Sequence, residues 1–367
     1  MAIYVIIAVV LTIISLYSPR FNERTSRCVY ILVGVILIAF ISVRDFTVNR
    51  DYTVYERVYN QIPSWQVLCG SIAEFNRSVK IEFSYAALCA YLKSTSNLMR
   101  TNFIIIFFLY ALVGVFVKMI AIKKLTNLHF LSLFIYFSNV FLLHECTQVR
   151  AGVAVGLILW SIVYLQKEEY YKFFLLILVA IFFHSSSFMA LLLPIFKMCK
   201  ADAKVWLCIF LACIVAHVAN FDILKIIELI PNDFYQYKLK MYLQLQERED
   251  FSINYFNVGY LLQNAVVILC FFYKTEMEKE NPYINILLNM CCFSSCCYLF
   301  FGQIPGFAIR ISEIFNSALV ILIPIITYAM KPKFLGELIV YSIGWGLFLI
   351  NIFYSELVQE YKTLWSY

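Results

Sequence analysis

A chain of 367 residues with 62% hydrophobic side chains, 14% charged ones and a mean hydropathy of +0.80 carries more apolar surface than a globular core can bury, since soluble domains run at about 45–50% apolar. Its net charge of +6 is scattered through short connections and forms no basic block, which excludes a nucleic-acid-binding module. What remains is an all-α, polytopic integral membrane helical bundle, a single multi-span domain over residues 1–367.

The first apolar run, 2–17, has no basic residue before it and no small-residue cleavage site after it, so it reads as a retained span rather than a signal peptide. The connection SPRFNERTSR leads to a second run at 28–43. Residues 44–82 then form a long loop of balanced charge, expected on the extracytoplasmic side. It opens with VRDFTVNRDYTVYERVY, which sets Arg44, Asp45, Arg50, Asp51, Tyr52 and Tyr55 directly behind a span. The run at 83–99 is the weakest, because Lys93, Ser94, Thr95, Ser96 and Asn97 fill its second half. It is expected to re-enter or to lie at the interface, which membrane proteins tolerate where a polar cavity is lined.

Further runs at 102–122, 129–144, 148–165, 172–193 and 204–220 each approach the roughly 20 residues that cross a bilayer. Residues 221–255 make a second long loop, net acidic and again expected outside. Its opening, FDILKIIELIP, spaces Asp222, Lys225 and Glu228 at a helical period and suits an interfacial helix. The tyrosine-rich stretch YQYKLKMYLQLQERED that follows reads either as an aromatic belt or as a lid over a sugar site. Runs at 256–273, 283–301, 308–330 and 334–354 bring the total to about ten to twelve spans, with at least one broken or re-entrant element. Within them, CCFSSCC (Cys291, Cys292, Cys296, Cys297) lacks metal-ligand spacing, has no histidine nearby, and reads as small packing residues. No metal or other cofactor is expected.

Excess Lys and Arg mark SPRFNERTSR, KMCKADAK and KPKFLGE as cytoplasmic. Twelve full spans with both long loops outside would place Arg150 near the cytoplasmic face. A non-spanning 83–99 moves Arg150 outside and requires a second irregular segment further on.

Ionisable groups inside a span cost some 2.5–3.5 kcal/mol even on a lenient scale, so each is a functional candidate by default. They gather in four breaks: the loop behind the second run; LLHECTQVRAG, with His144, Glu145, Gln148 and Arg150; AIFFHSSSF, with His184; and GQIPGFAIRISEIF, with Arg310 and Glu313. If 148–165 and 172–193 form one antiparallel hairpin, Arg150 lies about 3 Å and His184 roughly 13 Å below the same end, so both face one half of the bilayer. GVAVG after Arg150 supplies small residues for close helix packing. A lone histidine here is also explained by packing, and a lone arginine by snorkelling to a headgroup. Arginines in three separate breaks point instead to a phosphate ligand, because the planar guanidinium fork binds phosphate oxygens in pairs and keeps its charge.

The order Arg…Asp-Tyr…Tyr, then Gln-x-Arg-x-Gly at a helix start, then Phe-His-Ser-Ser, then Ile-Pro-x-x-x-x-Arg resembles the EpsG family of Wzy-type bacterial polysaccharide polymerases. The resemblance runs from Arg44 to about Phe315, and the sequence departs from it in having Asn49–Arg50 where the family usually has a glycine before the Asp-Tyr pair. It implies a GT-C-like membrane enzyme of the bacterial inner (cytoplasmic) membrane that makes O-antigen, capsule or exopolysaccharide, with its active site toward the periplasm. Such an enzyme transfers a growing glycan from undecaprenyl pyrophosphate to the non-reducing end of another lipid-linked repeat unit. It also implies a metal-independent reaction, a chain-length-regulating co-polymerase as partner, and a site comprising Arg44, Asp51, Tyr52, Gln148, Arg150, His184 and Arg310. Arg150 and Arg310, with Arg44, Gln148 and Tyr52, would bind the pyrophosphate and substrate. His184 and Asp51, with Glu145 third, are the candidate bases that take the acceptor hydroxyl's proton. An O-antigen ligase-type transferase, or a flippase of the same lipid-linked oligosaccharide, is the alternative reading.

Overall fold

The structure is a computed structural model that describes residues 1–49, 51–65, 82–96, 98–219, 221 and 253–365. Arg50, residues 66–81 of the first long loop and nearly all of the second, with its expected interfacial helix and tyrosine-rich stretch, lie outside the described residues. Every regular element among the described residues is helical. Five helices are long and apolar enough to cross a membrane, two further pairs are bent spans, and five shorter apolar helices complete the bundle. Their outward side chains, such as Ile6, Leu32, Phe116, Leu175 and Val215, are exposed and apolar, as a lipid-facing surface requires.

Helices α1 (Ala2–Tyr17) and α2 (Glu23–Val43) are the first two apolar runs. Asn22 caps α2 by accepting from Thr25 N at 2.8 Å. A short helix, α3 (Tyr52–Gln61), follows outside the spans. Next come α4 (Phe83–Thr95) and α5 (Met99–Leu125). At 13 residues, α4 reaches about 20 Å and falls short of a ~30 Å hydrocarbon core. Helix α6 (His129–His144) holds a π-turn at Tyr136–Phe141. Backbone carbonyls freed by that turn are met by Asn351, whose Nδ2 donates to Ser138 O at 2.9 Å.

Central in the bundle is α7 (Val149–Gln166), 78% buried where α1 is 22%. Its small residues allow this. A Cβ on Gly156 would meet Lys118 N and Val117 Cγ1 of α5 at 3.2 Å, so the two helices touch backbone to backbone there. Gly156→Leu is expected to overpack this contact at a cost of about 1–3 kcal/mol. It should lower the melting temperature of the detergent-solubilised protein; an unchanged melting curve would remove the close-approach argument.

The hydropathy of 172–193 reads as one span, and the structure divides it. Helix α8 (Tyr170–Phe183) stops at His184, whose backbone is extended, and a 3₁₀ stretch (Ser185–Leu192) runs into α9 (Leu193–Met198). The chain doubles back: Lys197 Nζ at its end lies 3.0 Å from Glu168 Oε1 at the start of α8. Three consecutive serines compete for the backbone and break the helix. His184 therefore sits at the turn, on a level with Arg150, and not about 10 Å deeper as a continuous helix would place it. This is the second irregular segment that an outward-facing Arg150 requires.

The remaining elements are α10 (Ala203–Val218), α11 (Val258–Phe272), α12 (Lys274–Glu280), α13 (Ile284–Phe300), α14 (Pro305–Asn316), α15 (Leu319–Ala329) and α16 (Lys333–Leu349). Helices α11 and α12 meet at 80°, and α14 and α15 at 44°. Cys291, Cys292, Cys296 and Cys297 of α13 are buried among neighbouring helices. One face of the bundle carries the end of α2, the starts of α5 and α7, and the C-terminal tail. There Leu364 N donates to Val43 O and Arg100 to Leu364 O, both at 3.0 Å. The other face is tied by Ser26 to His129 at 3.3 Å and by Asn281 Nδ2 to Leu125 O at 2.6 Å.

Candidate functional site

Four of the breaks that interrupt apolar sequence meet on the first face. Gln148 occupies the N-cap of α7 and Arg150 its first turn; the α8 break supplies His184; α14 supplies Arg310 and Glu313; and Asp51 caps α3. A residue not singled out from the sequence joins them. Glu82, at the N-cap of α4 and 6% exposed, accepts Arg150 Nη1 on Oε2 and Ser185 Oγ at 3.2 Å on Oε1. His184 Nδ1 stands 3.6 Å from the same Oε1, longer than a hydrogen bond and within charge–charge contact. One buried carboxylate thus fixes α4, α7 and the α8 break against each other.

Arg150 is held on a second side by Tyr55, its guanidinium carbon 5.4 Å from the ring centroid. Asp51 and Arg310 are close enough to the Tyr55 hydroxyl to act on it electrostatically. Arg150 Nε is buried and makes no hydrogen bond to any described residue. Glu313 lies close enough to Gln148, Arg310 and Asp51 for all three to act on its carboxylate. Glu313 Oε2 is buried with no hydrogen-bond partner among the described residues. Buried polar atoms in native structures are nearly always satisfied, so an unmet donor and an unmet acceptor within one cluster mark places for a ligand or water.

The structure therefore brings Asp51, Gln148, Arg150, His184 and Arg310 into one cluster and adds Glu82, Tyr55, Ser185 and Glu313 to it. Three sequence candidates lie elsewhere. Arg44 is 6% exposed, donates to Cys146 O and hydrogen-bonds Tyr4, joining α1, α2 and the turn before α7. Tyr52 points to the other side of α3, where its hydroxyl donates to Glu56 Oε1 at 3.0 Å. Glu145 is enclosed in the bundle: its Oε1 accepts Lys118 Nζ at 2.6 Å and Tyr136 OH at 2.7 Å, and Lys118 also donates to Gly152 O. Lys118 is the other residue that sequence reasoning missed, although a lysine within a long apolar run was itself the signal. Among the described residues no group of His, Cys, Asp and Glu is arranged to hold a metal ion.

A groove of about 860 Å³ opens between α10, α11 and α13, with walls of Leu207, Phe210, Ile214, Leu261, Ile268 and Phe272. Behind its wall Gln263 Oε1 accepts Asn316 Nδ2 at 2.6 Å. Asn316 lies roughly 9 Å along α14 from Arg310, so this bond ties the helix behind the groove to the helix that carries Arg310.

A multi-pass helical membrane protein with a buried charged site at one end of its helices is the class these features define. The chain belongs to the EpsG family, whose sequence profile matches residues 27–367, and it accordingly has a membrane glycan-polymerase-like role in polysaccharide biosynthesis. Neither the curated proteins nor the solved structures include a match to it.

Proposed function

We propose that the protein is a metal-independent glycosyltransferase that polymerises polysaccharide. It transfers a growing glycan from undecaprenyl pyrophosphate to the non-reducing end of another lipid-linked repeat unit, at the outer face of a bacterial inner membrane. The observation that carries this reading is Arg150. It is clamped by Glu82 and Tyr55 with Nε buried and unbonded, and it shares a cluster with Arg310 at the helix ends. Donors fixed in advance, away from water, stabilise charge as it develops on a leaving pyrophosphate. The apolar groove between α10, α11 and α13 suits a polyprenyl chain.

In the proposed step the acceptor hydroxyl attacks the anomeric carbon. A new C–O bond forms, the bond from that carbon to the pyrophosphate oxygen breaks, and the lipid pyrophosphate leaves with the electron pair against Arg150 and Arg310. The hydroxyl proton passes to the His184 imidazole, whose Nδ1 stands 3.6 Å from Glu82 Oε1. Asp51, beside the Tyr55–Arg150 contact, is the second candidate base, and Glu145 is assigned to the scaffold. Orientation rests on charge. The face opposite the cluster carries Arg20, Arg24, Arg27, Lys123, Lys124 and Lys200 in its connections, the bias of a cytoplasmic side. A chain-length-regulating co-polymerase belongs to this proposal as a partner.

Arg150→Ala, expressed in a polymerase-deleted host that makes the cognate repeat unit, is expected to lower chain extension by about 10²–10³-fold. The glycolipid ladder should collapse to single-repeat product at normal membrane abundance. An unchanged ladder would overturn the reading. Polymer stranded on its lipid carrier would indicate a ligase instead, and loss of all outward-facing repeat units a flippase.

A further inference from the structure

A second cavity lies across α3 from the cluster. It has a volume of about 430 Å³ and is lined by Asp45, Phe46, Thr47, Tyr52, Arg100 and Phe103, with Met99 beside them; ligand sites commonly fall at roughly 300–1,000 Å³. Its aromatic wall is rigid. Phe46 stacks on Phe103 at 5.5 Å between centroids and on Phe107 at 6.2 Å, and the Tyr52 ring sits 5.5 Å from both Phe46 and Phe103. The bond from Tyr52 OH to Glu56 fixes the ring from its far end.

The polar side is equally specific. Asp45 is 2% exposed, and its Oδ1 accepts both Thr47 N at 2.8 Å and Thr47 Oγ1 at 2.6 Å. Its other carboxylate oxygen takes no hydrogen bond from any described residue, although the side chain lines the cavity. That oxygen remains accessible, so a ligand hydroxyl in the cavity can donate to it. Arg100, an exposed side chain, donates from Nη2 to Leu364 O and also lines the cavity. Flat apolar rings, one acceptor-only group and one donor-only group are the set that a sugar needs. The rings take the apolar face of a pyranose, while the carboxylate and guanidinium divide its vicinal hydroxyls.

We propose that this cavity is a glycan subsite that holds a neutral pyranose of the lipid-linked repeat, away from the bond being made. The proposal rests on the polymerase reading above. Its geometry follows from α3, which presents Asp51 and Tyr55 to the cluster and Tyr52 and Glu56, one residue further round, to the cavity. A helix is about 10–12 Å across, so the sugar held here is a neighbour of the reacting ring.

The test is binding, measured without turnover. The probe is the repeat-unit oligosaccharide released by mild acid from the source cell's own lipid-linked pool, added to the full-length protein in lipid nanodiscs and followed by saturation-transfer NMR. Arg100→Ala and Tyr52→Ala are each expected to weaken binding about tenfold or more, the loss of one charge-assisted hydrogen bond or one stacking face. Tyr52→Phe, which keeps the ring, should bind as the unaltered protein does and shows that the fold survives at this position. Binding that persists in both alanine variants, or no binding by the unaltered protein, overturns the proposal. If binding is lost as expected while Arg150→Ala still makes a full ladder, the subsite stands and the catalytic reading falls.

Discussion

Glu82→Gln is expected to reduce the glycan ladder to nearly single-repeat product, although in the proposed step Glu82 touches no reacting atom. The substitution keeps the shape and removes the charge that Arg150, Ser185 and the edge of His184 all address. Arg150 would lose its counter-charge at a side chain that is only 17% exposed, and His184 would lose the group that sets its orientation. Losing a carboxylate that orients a working group typically costs 10–100-fold in activity. Here two working groups depend on one carboxylate, so the upper end of that range is expected. Ser185→Ala removes one neutral partner of the same oxygen and should cost less than tenfold. The two effects separate positioning from general loss of structure, provided membrane abundance and melting temperature are followed for each variant. A full ladder from Glu82→Gln at normal abundance would detach Arg150 and His184 from the chemistry proposed for them.

Glu82 was hidden in the sequence for a physical reason. In VKIEFSY it looks like any carboxylate at the end of a solvated loop, and the polar second half that marks 83–99 as non-crossing does not say which helix its start meets. Only when α4 folds back does its N-cap come under α7. Arg150 was legible by contrast, because a charge opening an apolar run is expensive wherever the run ends up. His184 was legible as a residue and misplaced in depth. Hydropathy averages across Ser185, Ser186 and Ser187, while the backbone breaks at them. Lys118 was lost to the same averaging inside the 27 residues of α5. The bundle itself could be read because apolar length is a property of the chain; the joints between helices could not, because they are properties of the pairs.

Those joints carry the second large effect. Lys118 and Glu145 are 1% and 2% exposed, and with Tyr136 and Gly152 O they form a buried set of hydrogen bonds between α5, α6 and α7. Removing one member strands the other charge in an apolar interior, which costs about 3–5 kcal/mol. Lys118→Met alone, or Glu145→Leu alone, is therefore expected to deplete the folded protein and lower its melting temperature sharply. Taking out both charges together, in Lys118→Met/Glu145→Leu/Tyr136→Phe, strands no charge and should recover most of the loss, since apolar replacements of a whole buried pair are often neutral. The comparison also decides the role of Glu145. A stable triple variant that still builds the ladder would confine Glu145 to the scaffold, where its bond to Lys118 places it. A stable triple variant without a ladder would return Glu145 to the candidate bases. A triple variant as unstable as either single one would mean that the pair contributes specific stability, and that the charge-stranding account of the single variants is wrong.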